Sequence, residues 1–154
     1  MSENRLKHPS LEYALSFELA DFQLDTVHSW LSRDAYWSKG LPRKVMERSF
    51  RNSLVIGLYH TELGQAGMAR MVTDKATFAY LSDVYIAESH RGLGLANWLM
   101  ETLMAHPDLQ GLRRIMLATS DMHALYRKFG FRDVGQSKLL MEIIDPDIYL
   151  GSGT

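Results

Sequence analysis

The sequence predicts an α/β fold, a mixed α+β sheet with helices on its faces. Three observations carry this expectation. Strand-like runs lie side by side between Leu54 and Ile86, joined by short turns. The last of them feeds a glycine-bearing turn that opens a helix. Shorter strand and helix signals then alternate to the end of the chain.

Leu11 to Glu18 alternates, with Leu11, Tyr13, Leu15 and Phe17 on one face, as a half-buried strand does. Asp25 to Trp37 reads as a helix with Asp25 as its cap, because Val27, Trp30 and Leu31 recur at helical spacing. The break Ser38-Lys39-Gly40-Leu41-Pro42 follows, and Pro42 suits the first turn of a second helix reaching Phe50. Leu54–Tyr59, Gln65–Thr73 and Phe78–Ile86 are three strands, the last two joined by a hairpin turn at Asp74-Lys75-Ala76-Thr77. A helix from Gly94 to Met104 buries Ala96, Leu99, Met100 and Leu103, and Pro107 ends it. Arg114–Ala118 is a short strand. Ser120 or Asp121 caps a brief helix from Met122 to Phe129, and Gly130 is its C′ residue. Phe131–Val134 and Lys138–Ile144 complete the set as two further strands. The expected order is β-α-α-β-β-β-α-β-α-β-β, in one domain spanning 1–154 with loose ends at about 1–9 and 151–154.

Composition excludes several function classes. The 154 residues are 46% hydrophobic with a formal net charge of −1, so the bulk of the chain folds and lacks the basic excess that nucleic-acid binding needs. There is no cysteine, which removes disulfide scaffolds, thiolate metal sites and cysteine nucleophiles. The six histidines are scattered, with no HxxxH pair, and no metal is expected. No apolar run approaches the roughly 18 residues of a membrane helix, and the polar start has no signal-peptide core. No membrane or nucleic-acid partner is expected, and the cytoplasm is the default compartment.

The most informative stretch runs from Tyr80 to Ala96. Glycines at 92 and 94 let the backbone curl so that several N–H groups converge where a helix presents its positive end. Such a cradle suits a phosphate or diphosphate, and Arg91 is placed to support the same anion. A tight turn leading into a helix is the plainer reading of the same glycines. The chain has no Gly-Lys-Ser/Thr of a triphosphatase loop, and a dinucleotide fingerprint fails because position 97 is Asn.

With these residues in view, the chain resembles the GCN5-related N-acetyltransferases (GNAT). Arg91-x-x-Gly94-x-Ala96 fits their Arg/Gln-x-x-Gly-x-Gly/Ala motif. Ala124-Leu125-Tyr126-Arg127-Lys128-Phe129-Gly130-Phe131 is similar to their Leu-Tyr-x-Lys-x-Gly-Phe segment, and the order of elements agrees. The resemblance implies acetyl-CoA as co-substrate, with its pantetheine paired to main-chain groups of Val84, Tyr85 and Ile86. It implies that the amides of Gly92, Leu93, Gly94, Leu95 and Ala96 hold the diphosphate, with Ser120 on the far side where many members carry Asn. The cofactor strand must then splay from Arg114–Ala118 to admit it.

Transfer to an amine needs a neutral nucleophile, a polarised thioester carbonyl and a proton for the departing thiolate. By resemblance Tyr126 is the proton donor; a phenol with a pKa near 10 stays protonated at neutral pH. Asp83, the only carboxylate in the cofactor strand, is the candidate base, although strand alternation turns it away from Ser82. In the polyamine acetyltransferases of the family, the position of Ser82 holds a carboxylate. Asp74, Glu88, His28 and His90 are further candidates. Trp30, Tyr36 and Trp37, with Asp34, are expected to line the acceptor pocket, where rings beside a carboxylate suit a cationic or amphipathic amine. A small-molecule amine is the expected partner. The alternatives are a protein or peptide acceptor, or a non-catalytic acyl-CoA-binding module. The family resemblance also makes a homodimer an expectation.

Overall fold

A computed structural model describes residues 4–150. Six strands form one sheet in the order β1 (Leu6–Lys7), β2 (Tyr13–Ser16), β3 (Leu54–His60), β4 (Gly64–Thr73), β5 (Phe78–Ile86) and β6 (Arg114–Leu117). Every pair is antiparallel except β5 with β6. Four helices flank it: α1 (Leu24–Ser29), α2 (Arg43–Arg51), α3 (Leu95–Met104) and α4 (His123–Arg127). Among the described residues no helix is long and apolar enough to cross a membrane.

Two cores lie on opposite faces. Leu99, Met100 and Leu103 of α3 pack with Leu15, Ile56, Leu58 and Met71 on one side. Val27, Leu31, Met46 and Phe50 pack with Val55 and Met68 on the other. The stripe predicted for α3 is therefore its buried face, apart from Ala96, which lines a cleft described below. A reciprocal pair locks α1 to the sheet: the Gln23 amide donates to Gln65 Oε1 at 2.8 Å, and the Gln65 amide donates to Gln23 Oε1 at 3.1 Å.

β5 changes phase along its length. Met71 pairs with Leu81 but Arg70 pairs with Asp83, so Ser82 is a bulge. Ala79 and Leu81 face the α3 core before it; Val84 and Ile86 face that core after it, while Tyr85 packs on the other side. Strict alternation, which the sequence reading assumed for Ser82 and Asp83, does not hold across this point.

Four boundaries differ from expectation. Leu6–Lys7, placed by sequence in a loose end, pairs with Ala14–Leu15 as β1. Residues 151–154, the other expected loose end, lie outside the described residues. The first helix does not continue to Trp37: it widens into a π turn over Trp30–Asp34 and stops. Its terminal carbonyls are taken by the following loop, with Ser38 Oγ donating to Leu31 O at 2.7 Å and the Gly40 amide to Ser32 O at 2.9 Å. Asp25 sits within the first turn of α1 and Gln23 precedes it as the cap position. Finally, Phe131–Val134 and Lys138–Ile144 form no strands, and only a 3₁₀ turn at Ser137–Leu139 interrupts this stretch. Their alternating apolar pattern is real, but no neighbouring strand pairs with it.

Candidate active site

The parallel ladder between β5 and β6 ends at the pair Leu81 and Leu117. β5 runs on to Ile86, so the β6-side edge of Val84, Tyr85 and Ile86 faces a wedge instead of a neighbour. The expected splay is present. A cleft of about 520 Å³ fills one end of the wedge and another of about 620 Å³ the other; Tyr126, Val84, Tyr36 and Trp37 line both.

At the first end the chain leaves β5 through a 3₁₀ turn, Glu88–His90, and enters α3 through Gly92 and Gly94. Both glycines have positive φ, +81° and +76°, which L side chains rarely adopt. A Cβ built at either one would meet nothing within 4 Å, so open space lies in front of this backbone. Gly94 caps α3 with no side-chain hydrogen bond, which leaves the first-turn amides facing that space. Leu95 is buried in the core and contributes main chain alone, whereas Leu93 is exposed. Arg91 folds back, its Nε donating to the Ile86 carbonyl at 2.7 Å, and its guanidinium carbon lies 5.4 Å from the centre of the Tyr85 ring.

Tyr126 stands where the two ends meet. α4 closes in a Schellman motif: the Gly130 amide bonds Arg127 O and the Phe131 amide bonds Tyr126 O, with φ +92° at Gly130. Gly130 is thus the C′ residue expected. At the other end of α4 the cap position is Met122, with no side-chain hydrogen bond, so neither Ser120 nor Asp121 caps the helix as expected; Thr119 Oγ1 accepts the Asp121 and Met122 amides in the turn before it. The Tyr126 side chain is nearly buried, and burial pushes its phenol up to about 12, helped by Tyr36 and Asp121 nearby. Among the described residues its hydroxyl makes no hydrogen bond.

The loop released by the early end of the first helix carries Tyr36 and Trp37 into the wedge. Ser120 Oγ donates to the Tyr36 hydroxyl at 2.9 Å, which joins this loop to the segment after β6. Trp37 Nε1 donates to Asp83 Oδ1 at 2.7 Å. Arg70 Nε holds Asp83 Oδ2 at 2.6 Å, and the same guanidinium reaches Ser82 Oγ at 2.6 Å and Ser53 Oγ at 3.2 Å. Asp83 is thus buried with both oxygens engaged. Arg70 was not visible as its partner in the sequence, because unbroken pairing from Met71 and Leu81 would set Asp83 opposite Ala69. The bulge moves it to Arg70.

Trp30 is placed differently from expectation. Its indole is buried in the α1–α2 core and stacks on Tyr85 at 5.3 Å, so it supports the strand and does not line the wedge. The other candidate bases are tied elsewhere. His28 Nε2 donates to Leu41 O at 2.7 Å, and Asp74 accepts the Thr77 hydroxyl and the amides of Thr77, Ala76 and Phe78 in the β4–β5 turn, which together lower its pKa. Glu88 is exposed on the 3₁₀ turn. His90 does line the wedge. It is buried, its Nδ1 shares a 2.6 Å hydrogen bond with the Tyr13 hydroxyl, and burial, then His60, lower its pKa.

A profile of the Acetyltransferase (GNAT) family matches residues 24–131, well over half of the chain. The chain belongs to the GNAT family. A Gibberella zeae protein named as an acetyltransferase is 35% identical over 144 residues, covering 79% of this chain and 80% of that one. A crystal structure of a GNAT-family protein from Xanthomonas campestris pv. campestris superposes with a TM-score of 0.86 at 41% identity, covering 89% of this chain and 96% of that one. A GNAT protein from Elizabethkingia anophelis, solved with acetyl-CoA bound, shares the fold at a TM-score of 0.58 and 11% identity, covering 79% and 76%. GNAT enzymes transfer acetyl groups from acetyl-CoA, and this chain is an acetyl-CoA-dependent N-acetyltransferase by that membership. The open backbone cradle at Gly92 and Gly94 and the unpaired end of β5 fit such a co-substrate.

Proposed function

We propose that this GNAT enzyme acetylates a small cationic amine, with Tyr126 as the general acid. The observation that carries the reading is the lining of the 620 Å³ end of the wedge. Tyr36, Trp37 and Tyr80 face it, and Asp121 is the one charged side chain lining it among the described residues. Aromatic faces attract a cation, and a single carboxylate sets its sign.

Acetyl-CoA supplies an activated thioester. In this reading the amides of residues 92–96 and Arg91 hold its diphosphate, main-chain groups of Val84, Tyr85 and Ile86 bind its pantetheine, and the amide of Val84 or Tyr85 polarises the thioester carbonyl. Ser120 closes the far side through Tyr36. Tyr126 keeps its proton at neutral pH and delivers it to the leaving sulfur. Asp83 has no part as a base; its place is behind Trp37. Holding the two reactants along one wedge contributes much of the acceleration.

Thiol release measured across a panel of primary amines, polyamines, amino acids and peptide N-termini tests this. A small amine with a cationic or aromatic body is expected to raise release well above background. Release driven by peptides alone would overturn the small-molecule acceptor, and release with no amine dependence would overturn the whole reading.

The cradle has its own test. Gly94→Val places a β-branched residue at φ +76° and a side chain in the open space, a strain of about 1–2 kcal/mol before any clash. Binding of CoA, followed by calorimetry, is expected to weaken at least about tenfold. Unchanged affinity would move the diphosphate elsewhere.

A further inference from the structure

The proposed reaction sets an acid at the sulfur and leaves one proton without a taker. Attack by a neutral amine puts a positive nitrogen in the tetrahedral adduct, and the amide forms only when that nitrogen gives up a proton. Asp83 is closed off between Trp37 and Arg70. At the 520 Å³ end of the wedge the other titratable groups of β5, its following turn and the first-helix loop are engaged. Asp34 Oδ2 accepts from the Tyr85 hydroxyl at 3.4 Å, His90 is held by Tyr13, and Arg91 is held by the Ile86 carbonyl. Tyr80 lines the 620 Å³ end from β5, with no hydrogen-bonded carboxylate among the described residues. His123 of α4 lines a separate hollow beside β6.

One row of oxygens remains. Tyr36 and Asp121 line both ends of the wedge together with Tyr126, and after burial they are the groups that push the Tyr126 phenol up, so both stand near it. Between them lies Ser120 Oγ, 2.9 Å from the Tyr36 hydroxyl and 3.4 Å from Asp121 Oδ1. A serine has one proton to give and lone pairs to receive. At rest that proton goes to Tyr36. When Tyr36 turns its own proton to the serine, the serine turns to the carboxylate, and the three side chains make a path from the wedge to Asp121. All three residues are exposed, so the far end of the path opens on water.

We infer that this row carries the nitrogen's proton away, with Tyr36 as a second catalytic phenol and Ser120 and Asp121 as positioning residues acting through it. The inference rests on the wedge holding the acceptor as proposed above. The step balances. The amine nitrogen bonds to the thioester carbon. Its surplus proton passes to the Tyr36 oxygen as the Tyr36 proton moves to Ser120 Oγ and the serine proton to Asp121 Oδ1. The carbon–sulfur bond breaks with its electron pair on sulfur, which takes the proton of Tyr126. Asp121 then loses its proton to water, and Tyr126 regains one after the products leave.

Ser120→Ala cuts the path and leaves every charge in place. It is expected to lower kcat at least about tenfold with the KM for the amine little changed. Ser120→Thr keeps the hydroxyl and should recover most of the rate. Asp121→Ala opens the far end to a small carboxylate. Sodium formate, compared with sodium chloride at equal ionic strength, should raise its kcat with concentration and do nothing for Tyr36→Phe, which lacks the first link. Ser120→Ala combined with Asp121→Ala should be no slower than the slower single variant, because both break one path. Wild-type kcat in Ser120→Ala, or a loss in Asp121→Ala that formate leaves untouched, would overturn the relay. If Tyr126→Phe is slow while either result holds, the relay alone falls and the acid stands; a wild type whose thiol release ignores the amine would overturn both.

Discussion

Tyr126→Phe is expected to lower kcat by at least about tenfold, toward the hundredfold or more that a positioned acid contributes. The KM for both substrates should move little, because the ring and its packing on Phe131 survive the change. The pH profile adds a second readout. A phenol pushed up to about 12 stays protonated across the range in which amines lose their protons. The wild-type rate should therefore rise with pH as the acceptor deprotonates, then fall only as the medium approaches that value. In the Phe variant the alkaline fall has no group to cause it and should vanish. Equal turnover of the two proteins at every pH would remove Tyr126 from proton transfer.

Asp83→Ala should destabilise the fold by about 3 kcal/mol, measured by denaturant unfolding. The carboxylate is 6% exposed and neutralises Arg70, whose guanidinium is also largely buried. Its removal leaves an unpaired cation in the sheet and frees the Trp37 indole. Asp83→Asn keeps an acceptor for Trp37 while deleting the charge. It should recover part of the acceptor affinity without recovering the stability. Wild-type stability in the alanine variant would show that the pair is not buried in solution.

The residues that announced the site did so through backbone demands. Glycine at 92 and 94 marks positive φ before a helix, and Gly130 marks the close of α4; both are local requirements, and both are met in the structure. Strand positions from Leu54 to Ile86 were legible for the same reason, since alternation and short turns are local. What escaped was set by distant contacts. The first helix stops at Asp34 because Ser38 and Gly40 reach back to its carbonyls, and periodicity carries no trace of that. Trp30 looked like a pocket residue by its neighbourhood with Tyr36 and Trp37, yet the π turn separates it from them and buries it against Tyr85. Arg70 entered the site through a register shift that no pattern of apolar residues encodes. The two closing strands read from 131 to 144 have the right pattern but no partner within the described residues, which is a statement about neighbours and not about propensity.

The surplus residue in β5 has a consequence for how this enzyme tolerates change. Deleting Ser82 would set Asp83 directly after Leu81, and regular alternation would then keep Asp83 opposite Arg70, Val84 on the α3 side and Tyr85 on the α1–α2 side. A scaffold built this way can shed one unit of length between Leu81 and Asp83 and keep both the ceiling and the floor of its catalytic chamber; what it surrenders is the hydroxyl that meets Arg70 and the piece of cleft wall that Ser82 supplies.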